Sequence, residues 1–359
     1  KILDPTFTTA YITRNFGYMV YDTLFAQDEN GQPKPQMVEK YSTSKDAKKW
    51  TFTLRENLKF SDGTPVTSVD AVASIQRWSG RDTFGGAMKA AGGLWSVIDD
   101  RNFQLQLVEP FGMVLDALAK PSGFPLFVMP ERLANMPTTT PLNEVMGSGP
   151  YTFKRDEWRP GNKVVFIKSP TYAARSEPAS GLAGSKNSNF GRVEWLYLPD
   201  ANSSIAALKN KEVDFVEQVA PDYIAPLRGD SGVKLIGGSS QQAQLIMNQA
   251  HPPFNNPKVR QALLKAANQD HFTTAMGFPI DMRMKYCATY FICGSANDTP
   301  AGSEAFRTPD VGKAKKMLAE SGYKGEKVVL LMASDIPTIS ALSLTMLQTM
   351  RSIGLNVEG

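Results

Sequence analysis

The run from Trp50 to Trp78, WTFTLRENLKFSDGTPVTSVDAVASIQRW, limits what the chain can fold into more than any other stretch, because three kinds of local order follow one another in it. Trp50, Phe52 and Leu54 alternate with Thr51, Thr53 and Arg55, the period-two pattern of a strand with one face on a core. Asp62-Gly63 then turns the chain. Thr67 stands three residues before Asp70, a capping-box spacing, and Val69, Val72 and Ala73 follow at helical offsets, so a helix is predicted to start there. Nothing in this strand, turn and helix carries chemistry.

Pattern and punctuation place further elements. Residues 1–28 read as a loop and an amphipathic helix carrying Phe16, Met19, Val20 and Leu24. Phe103, Leu105 and Leu107 alternate with glutamines as a strand does, a short helix is expected around Val114 to Leu118, and the proline-rich stretch 121–141 reads as mostly connector. Tyr151 to Ile167 holds two strands joined at Arg159-Pro160-Gly161-Asn162, a hairpin. The stretch 173–190 lacks periodicity and reads as a surface loop. Val193 to Leu198 is a strand, and Asp200 caps a helix bearing Ile205 and Leu208. Gln244 to Asn248 is another expected strand. Asn256-Pro257 opens a helix with Val259, Ala262, Leu263, Ala266 and Ala267 on one stripe. Val328 to Ala333 is a continuous apolar run typical of a strand buried on both faces; a helix from about Thr338 to Ile353 follows, stopped by Gly354, and Asn356-Val357 starts a parallel partner strand.

Composition excludes several classes of function. With 359 residues, 42% of them hydrophobic and 21% charged, the chain can bury more than one core and should split into at least two domains. The 39 basic and 35 acidic residues, net +4, are dispersed, which argues against a nucleic-acid stripe. No apolar run approaches the length of a membrane span, and no charged-then-apolar stretch stands at the start. There is no glycine-rich turn ending in Gly-Lys-Ser/Thr and no Gly-x-Ser-x-Gly elbow. Gly147-Ser148-Gly149 is too short for a dinucleotide fingerprint, and Pro150 would spoil the helix start such a site needs. Asp99-Asp100 reads as a turn rather than an acid–base pair. His251 beside Pro252-Pro253 is structural or solvent-facing, and His271, after a helix C-terminal region, is explained by the helix dipole. Neither histidine is at ligand spacing from the cysteines, so no metal is expected. The chain reads as a non-enzyme with no cofactor.

The signature run resembles the extracytoplasmic solute-binding proteins that include the oligopeptide-, dipeptide- and nickel-binding receptors of ABC importers, family 5. The matching elements are Thr51-Phe52-Thr53-Leu54-Arg55, Lys59-Phe60, Asp62-Gly63-Thr64-Pro65-Val66-Thr67 and Asp70-Ala71-Val72. The resemblance runs in order through Leu3-Asp4-Pro5, Gly147-Ser148-Gly149-Pro150-Tyr151 with Trp158 and Pro160-Gly161, Lys211-Glu212-Val213-Asp214, Asn248, Pro252-Pro253-Phe254, Val259-Arg260-Gln261-Ala262-Leu263 and Asp310 through Gly325. Asn268 stands where the family usually has aspartate, and Ala173-Ala174 where it has an aromatic pair.

The resemblance implies an α/β, two-lobed periplasmic-binding-protein fold with an extra strand-rich insert in lobe one. Residues 1–29 and 145–247 would form the first lobe's core, 30–144 the insert, and 248–359 a second lobe that looks incomplete on its C-terminal side, as in a piece of a longer chain. It implies a periplasmic or cell-surface receptor, a monomer, that closes by a hinge motion around a small solute and delivers it to ABC permease subunits; peptide is the default ligand. A ligand-sensing regulator of the same fold is the alternative, and a hydrolase a weaker one. Cleft-facing candidates are Thr9, Ala10 and Tyr11, Trp95 in a loop after Gly92-Gly93 or in the core, Met146 and Gly147, Asn248 as an amide donor or as a turn cap, and Tyr290, with Tyr286, as an apolar wall or surface packing. Export would make a disulfide between Cys287 and Cys293 sensible, the alternative being two half-buried thiols.

Overall fold

A computed structural model describes residues 2–238, 242–284, 287, 289–295, 297–333 and 336–359. It divides the chain into two units, Lys1–Tyr197 and Leu198–Gly359, which are built differently.

The first unit runs α1 (Tyr11–Val20), β1 (Phe25–Gln27), β2 (Pro33–Pro35), β3 (Val38–Thr43), β4 (Lys49–Leu54), α2 (Ser68–Ser79), α3 (Thr83–Ala90), β5 (Leu94–Val97), β6 (Asn102–Gln106), α4 (Val114–Leu118), α5 (Glu131–Ala134), β7 (Tyr151–Phe153), β8 (Lys163–Lys168) and β9 (Arg192–Leu196). Strands β3-β4-β6-β5 form an antiparallel sheet, and β7-β8-β9 a second. Phe52 and Leu54 are buried as their alternation requires, and Phe52 faces Phe103 across β4 and β6 with ring centroids 5.2 Å apart. Helix α2 sends Ala71, Ile75 and Trp78, at i, i+4 and i+7, into the same core. Its start is fixed by Asp70, whose Oδ2 accepts the Thr67 N–H at 2.8 Å and the Thr67 hydroxyl at 2.9 Å. Asp70 Oδ1 accepts the Glu131 N–H at 2.8 Å, so one carboxylate caps α2 and ties it to α5.

Two sequence expectations need correcting or sharpening in this unit. Leu24 lies beyond the end of α1, buried in the sheet's core; its spacing reported burial, not helix. The stretch 121–141 is mostly connector, as expected, with the short α5 inside it. The stretch 173–190 lacks strands and helices and is exposed at 176–179 and Phe190, as a surface loop should be, but it is anchored to the rest of the unit at several points. Arg55 donates to the Ala173 carbonyl at 2.8 Å, Arg175 to the Gln36 and Val38 carbonyls at 3.0 Å each, and Lys186 Nζ meets Asp22 Oδ1 at 2.7 Å.

The second unit contains α6 (Ala201–Lys209), α7 (Ile224–Arg228), α8 (Pro257–Ala266), α9 (Gln269–Ala275), α10 (Val311–Glu320), β10 (Val328–Val329), α11 (Pro337–Ile353) and β11 (Val357–Glu358). The Val259, Ala262, Leu263 and Ala266 stripe of α8 packs with Ala314 and Leu318 of α10 and Met350 and Ile353 of α11. Asp200, Asn256 and Asp310 cap α6, α8 and α10 through their side chains, and Gly354 ends α11 at φ +100°. Strands β10 and β11 pair in parallel, Val328 opposite Val357, as the expected βα unit requires.

Elsewhere in this unit the expectations overreach. Only Val328–Val329 of the apolar run is a strand, and Leu331 is 90% exposed, so the run is not buried on both faces. Gln244 to Asn248 is no strand: Leu245 and Met247 turn to the core while Ile246 is exposed, which keeps the alternation, but no ladder partner is present among the described residues. His271 sits in the first turn of α9, where the helix dipole disfavours a cation, so the dipole does not account for it.

Candidate functional site

Helix α1 organises the residues that the sequence singled out in the first unit. Thr13, Phe16, Gly17 and Val20 form its buried stripe. Tyr11, Arg14 and Tyr18 fall on another stripe at i, i+3 and i+7. Thr9 and Ala10 lead into the helix exposed, Tyr11 is 68% exposed, and the Ala10 position supplies no side-chain cap. The Arg14 guanidinium carbon lies 4.6 Å from the Tyr11 ring centroid. Its Nη1 donates to Ser122 Oγ at 3.0 Å, and its Nε and Nη2 donate to Asn15 Oδ1 at 3.1 and 2.9 Å. Tyr18 donates its hydroxyl to the Pro121 carbonyl at 3.0 Å, which lays the 121–122 segment beside the helix.

Burial holds the Tyr18 and Tyr172 hydroxyls well above the usual phenol range, and the nearby Asp22 carboxylate pushes both further up. Both therefore stay neutral donors, Tyr172 to Asp22 Oδ2 at 3.2 Å. Asp22 also takes Lys186, so this polar group is internally neutralised. It positions the 173–190 segment; it offers no group poised for proton transfer. Asp99 likewise anchors a turn, accepting the Arg101 and Asn102 N–H groups at 2.9 Å each, which holds its carboxyl below the usual range.

Met146 and Gly147 sit at the other end of α1, about 15 Å away along the helix axis. Gly149 donates to the Val20 carbonyl at 3.0 Å, and the Gly147 carbonyl accepts the Ser61 N–H at 2.9 Å. A Cβ on Gly147 would lie 1.9 Å from the Val20 carbonyl oxygen, so this glycine is required for close approach of two backbones. Met146 is half-buried, its sulfur accepting from Ser61 Oγ at 3.2 Å. Trp95 is not in a loop. It belongs to β5, with its ring against Phe52 and Phe103 at 5.7 and 6.1 Å, and this packing accounts for it.

In the second unit, Asn248 Oδ1 accepts the Ala250 N–H at 3.1 Å, the turn-capping arrangement. Tyr290 is 78% exposed, and its ring meets only the edge of Phe291 at 5.1 Å among the described aromatics. Tyr286 lies outside the described residues. Cys287 and Cys293 are joined in a disulfide with their Cα atoms 6.0 Å apart. Among the described residues no three His, Cys, Asp or Glu side chains gather as a metal set would, and no helix is long and apolar enough to cross a membrane.

Comparison with known proteins decides what this architecture is. Residues 32–358 match the bacterial extracellular solute-binding proteins, family 5, middle region. The chain belongs to that family. It is 36% identical over 364 residues to the Sinorhizobium fredii protein named "Probable peptide ABC transporter periplasmic-binding protein y4tO", covering 100% of this chain and 68% of that protein. It is 25% identical to the periplasmic oligopeptide-binding protein OppA of Escherichia coli, over 99% of this chain and 67% of OppA. The glutathione-binding protein GsiB of Salmonella typhi is 26% identical over 89% of this chain, of which the match spans 59% of GsiB. Among solved structures, AgaA in complex with agropinic acid from A. tumefaciens superposes with a TM-score of 0.79 at 24% identity, over 100% of this chain and 70% of AgaA. A dipeptide-binding protein from Pseudoalteromonas in complex with Met-Leu gives 0.77 at 20%, over 99% and 73%. These likenesses establish the periplasmic-binding-protein fold.

Within this family-5 chain, Thr9, Ala10 and Tyr11 stand at the exposed start of α1, and Arg14 and Tyr18, which the sequence did not single out, share the Tyr11 stripe. The signal was present: both recur from Tyr11 at helical spacing, on a stripe distinct from the one through Phe16. Lys186 was missed because its partner Asp22 is 164 residues away in sequence.

Proposed function

We propose that this chain is the receptor part of an ABC import system, binding a peptide or a closely related small solute without chemical change and delivering it to a membrane permease. The observation that carries the reading is the family match over residues 32–358, joined to 36% identity across the whole chain with a peptide-transport periplasmic-binding protein. The lobe assignment, with 1–29 and 145–247 as first-lobe core, 30–144 as insert and 248–359 in the second lobe, goes with this reading, as do a monomeric state, a location outside the cytoplasm and the absence of catalysis. Closure around solute would follow from contacts that only the closed state makes.

The exposed Thr9, Ala10 and Tyr11 support a ligand-facing role for the start of α1, and the exposed Tyr290 supports one for the second unit. Met146, Gly147 and Trp95 have structural work that explains them. A thermal-shift screen of the chain against di- to pentapeptides, sugars, aromatic acids and metal chelates tests the reading, since a ligand at a hundred times its Kd adds about 2.7 kcal/mol of stability. Peptides should raise the melting temperature. A shift with sugars or chelates alone would replace the ligand class, and silence from every class in folded protein would overturn the receptor reading.

A further inference from the structure

We propose that Arg14 is the residue of the first unit that receives the ligand's carboxylate, with Tyr11 as its backing. The proposal rests on the receptor reading above and narrows it to ligands with a free carboxylate.

Three observations support it. A guanidinium has five N–H donors in a rigid fork. Three are spent, on Ser122 Oγ and twice on Asn15 Oδ1, and both partners are neutral. No Asp or Glu pairs with Arg14 among the described residues, so its charge is not cancelled in the way that Asp22 cancels Lys186. The two remaining donors belong one to Nη1 and one to Nη2, and a carboxylate can accept from either or both. Finally, the side chain is held before any ligand arrives, by three hydrogen bonds and by the Tyr11 face at 4.6 Å, so little rotamer freedom is left to lose on binding.

Alanine–leucine di- to pentapeptides with free or amidated C-termini test this, because their only carboxylate is the terminal one. Binding is measured by calorimetry on the unchanged chain, on Arg14→Gln and on Arg14→Lys. The unchanged chain should prefer acid over amide by about ten- to a hundredfold, the range for a hydrogen-bonded charge pair. Arg14→Gln should lose most of that preference, and Arg14→Lys, which keeps the charge but not the fork, should retain part of it. Ser122→Ala, which only loosens the guanidinium, should fall between the unchanged chain and Arg14→Gln. Equal binding of acid and amide by the unchanged chain overturns the proposal, as does an Arg14→Gln or Arg14→Lys variant with an undiminished preference. If the unchanged chain binds no peptide of either kind, the peptide reading itself has failed and this proposal with it. That result is distinguishable because it needs no variant.

Discussion

Asp4 Oδ2 and Arg77 Nη2 meet at 2.7 Å with both side chains shut off from solvent. Asp4 also accepts the Thr6 and Leu142 N–H groups at 2.9 and 3.1 Å, while Arg77 donates to the Met136 carbonyl. The Leu3-Asp4-Pro5 motif therefore works as a structural clamp joining the start of the chain, helix α2 and the segment before β7. Removing one partner strands the other charge in the interior, so Asp4→Ala and Arg77→Ala should each cost about 3–5 kcal/mol in urea unfolding. A loss below about 1 kcal/mol would contradict the clamp.

Gly149 is a second fixed point. A Cβ there would stand 2.6 Å from the Val20 carbonyl carbon and 2.7 Å from the Tyr21 nitrogen, backbone atoms that cannot rotate away. Gly149→Ala should lower the melting temperature by several degrees or prevent folding. Gly86, inside α3 with nothing within 4 Å of its would-be Cβ, is the control: Gly86→Ala should stabilise by about 0.5–1 kcal/mol. Equal behaviour of the two variants would refute the close-approach account.

Local order was the legible part of this sequence. The Thr67–Asp70 cap, the Phe52/Phe103 alternation, the α8 stripe and the Gly354 stop depend on neighbours a few residues apart, and each stands where its pattern put it. Partners distant in sequence were not legible. Nothing local ties Lys186 to Asp22, Arg175 to the carbonyls of Gln36 and Val38, or Trp95 to Phe52, and so the anchoring of a surface loop was hidden and Trp95 stood open between loop and core. Strand expectations failed where pairing was lacking, since Gln244 to Asn248 shows the alternation of a strand without a ladder. In the candidate site, Thr9 to Tyr11 are exposed, and placing Arg14 beside Tyr11 required knowing which face of α1 Phe16 occupies.

The 173–190 segment should respond to acid. Hydrogen bonds from Arg175 hold the Glu177 carboxyl down to about 2, against roughly 4.3 for an unperturbed glutamate. A depressed carboxylate contributes stability that is present above the unfolded value and disappears as pH falls through the folded one. The stability difference between the unchanged chain and Glu177→Gln should therefore shrink between about pH 4.3 and 2. It should be small at all pH values and smaller in high salt, because the pair is exposed to solvent. A Glu177 titration midpoint near 4.3 by NMR would contradict the pairing.

Reduction of the Cys287–Cys293 disulfide should destabilise the second unit by about 2 kcal/mol, the loop-entropy value for so short a ring. The double Cys→Ser variant should match the reduced protein. Thiol labelling checks the premise: two reactive thiols in protein purified without reductant would remove it.

The central claim is that this chain binds a solute and leaves it unchanged. Isothermal titration with an unlabelled peptide that shifts the melting temperature, followed by mass spectrometry of the peptide recovered from the cell, tests it most directly. The account predicts saturable binding at one site per chain and quantitative recovery of intact peptide after prolonged incubation. Cleaved peptide in proportion to time, or no saturable heat with any peptide that folded protein encounters, would contradict it.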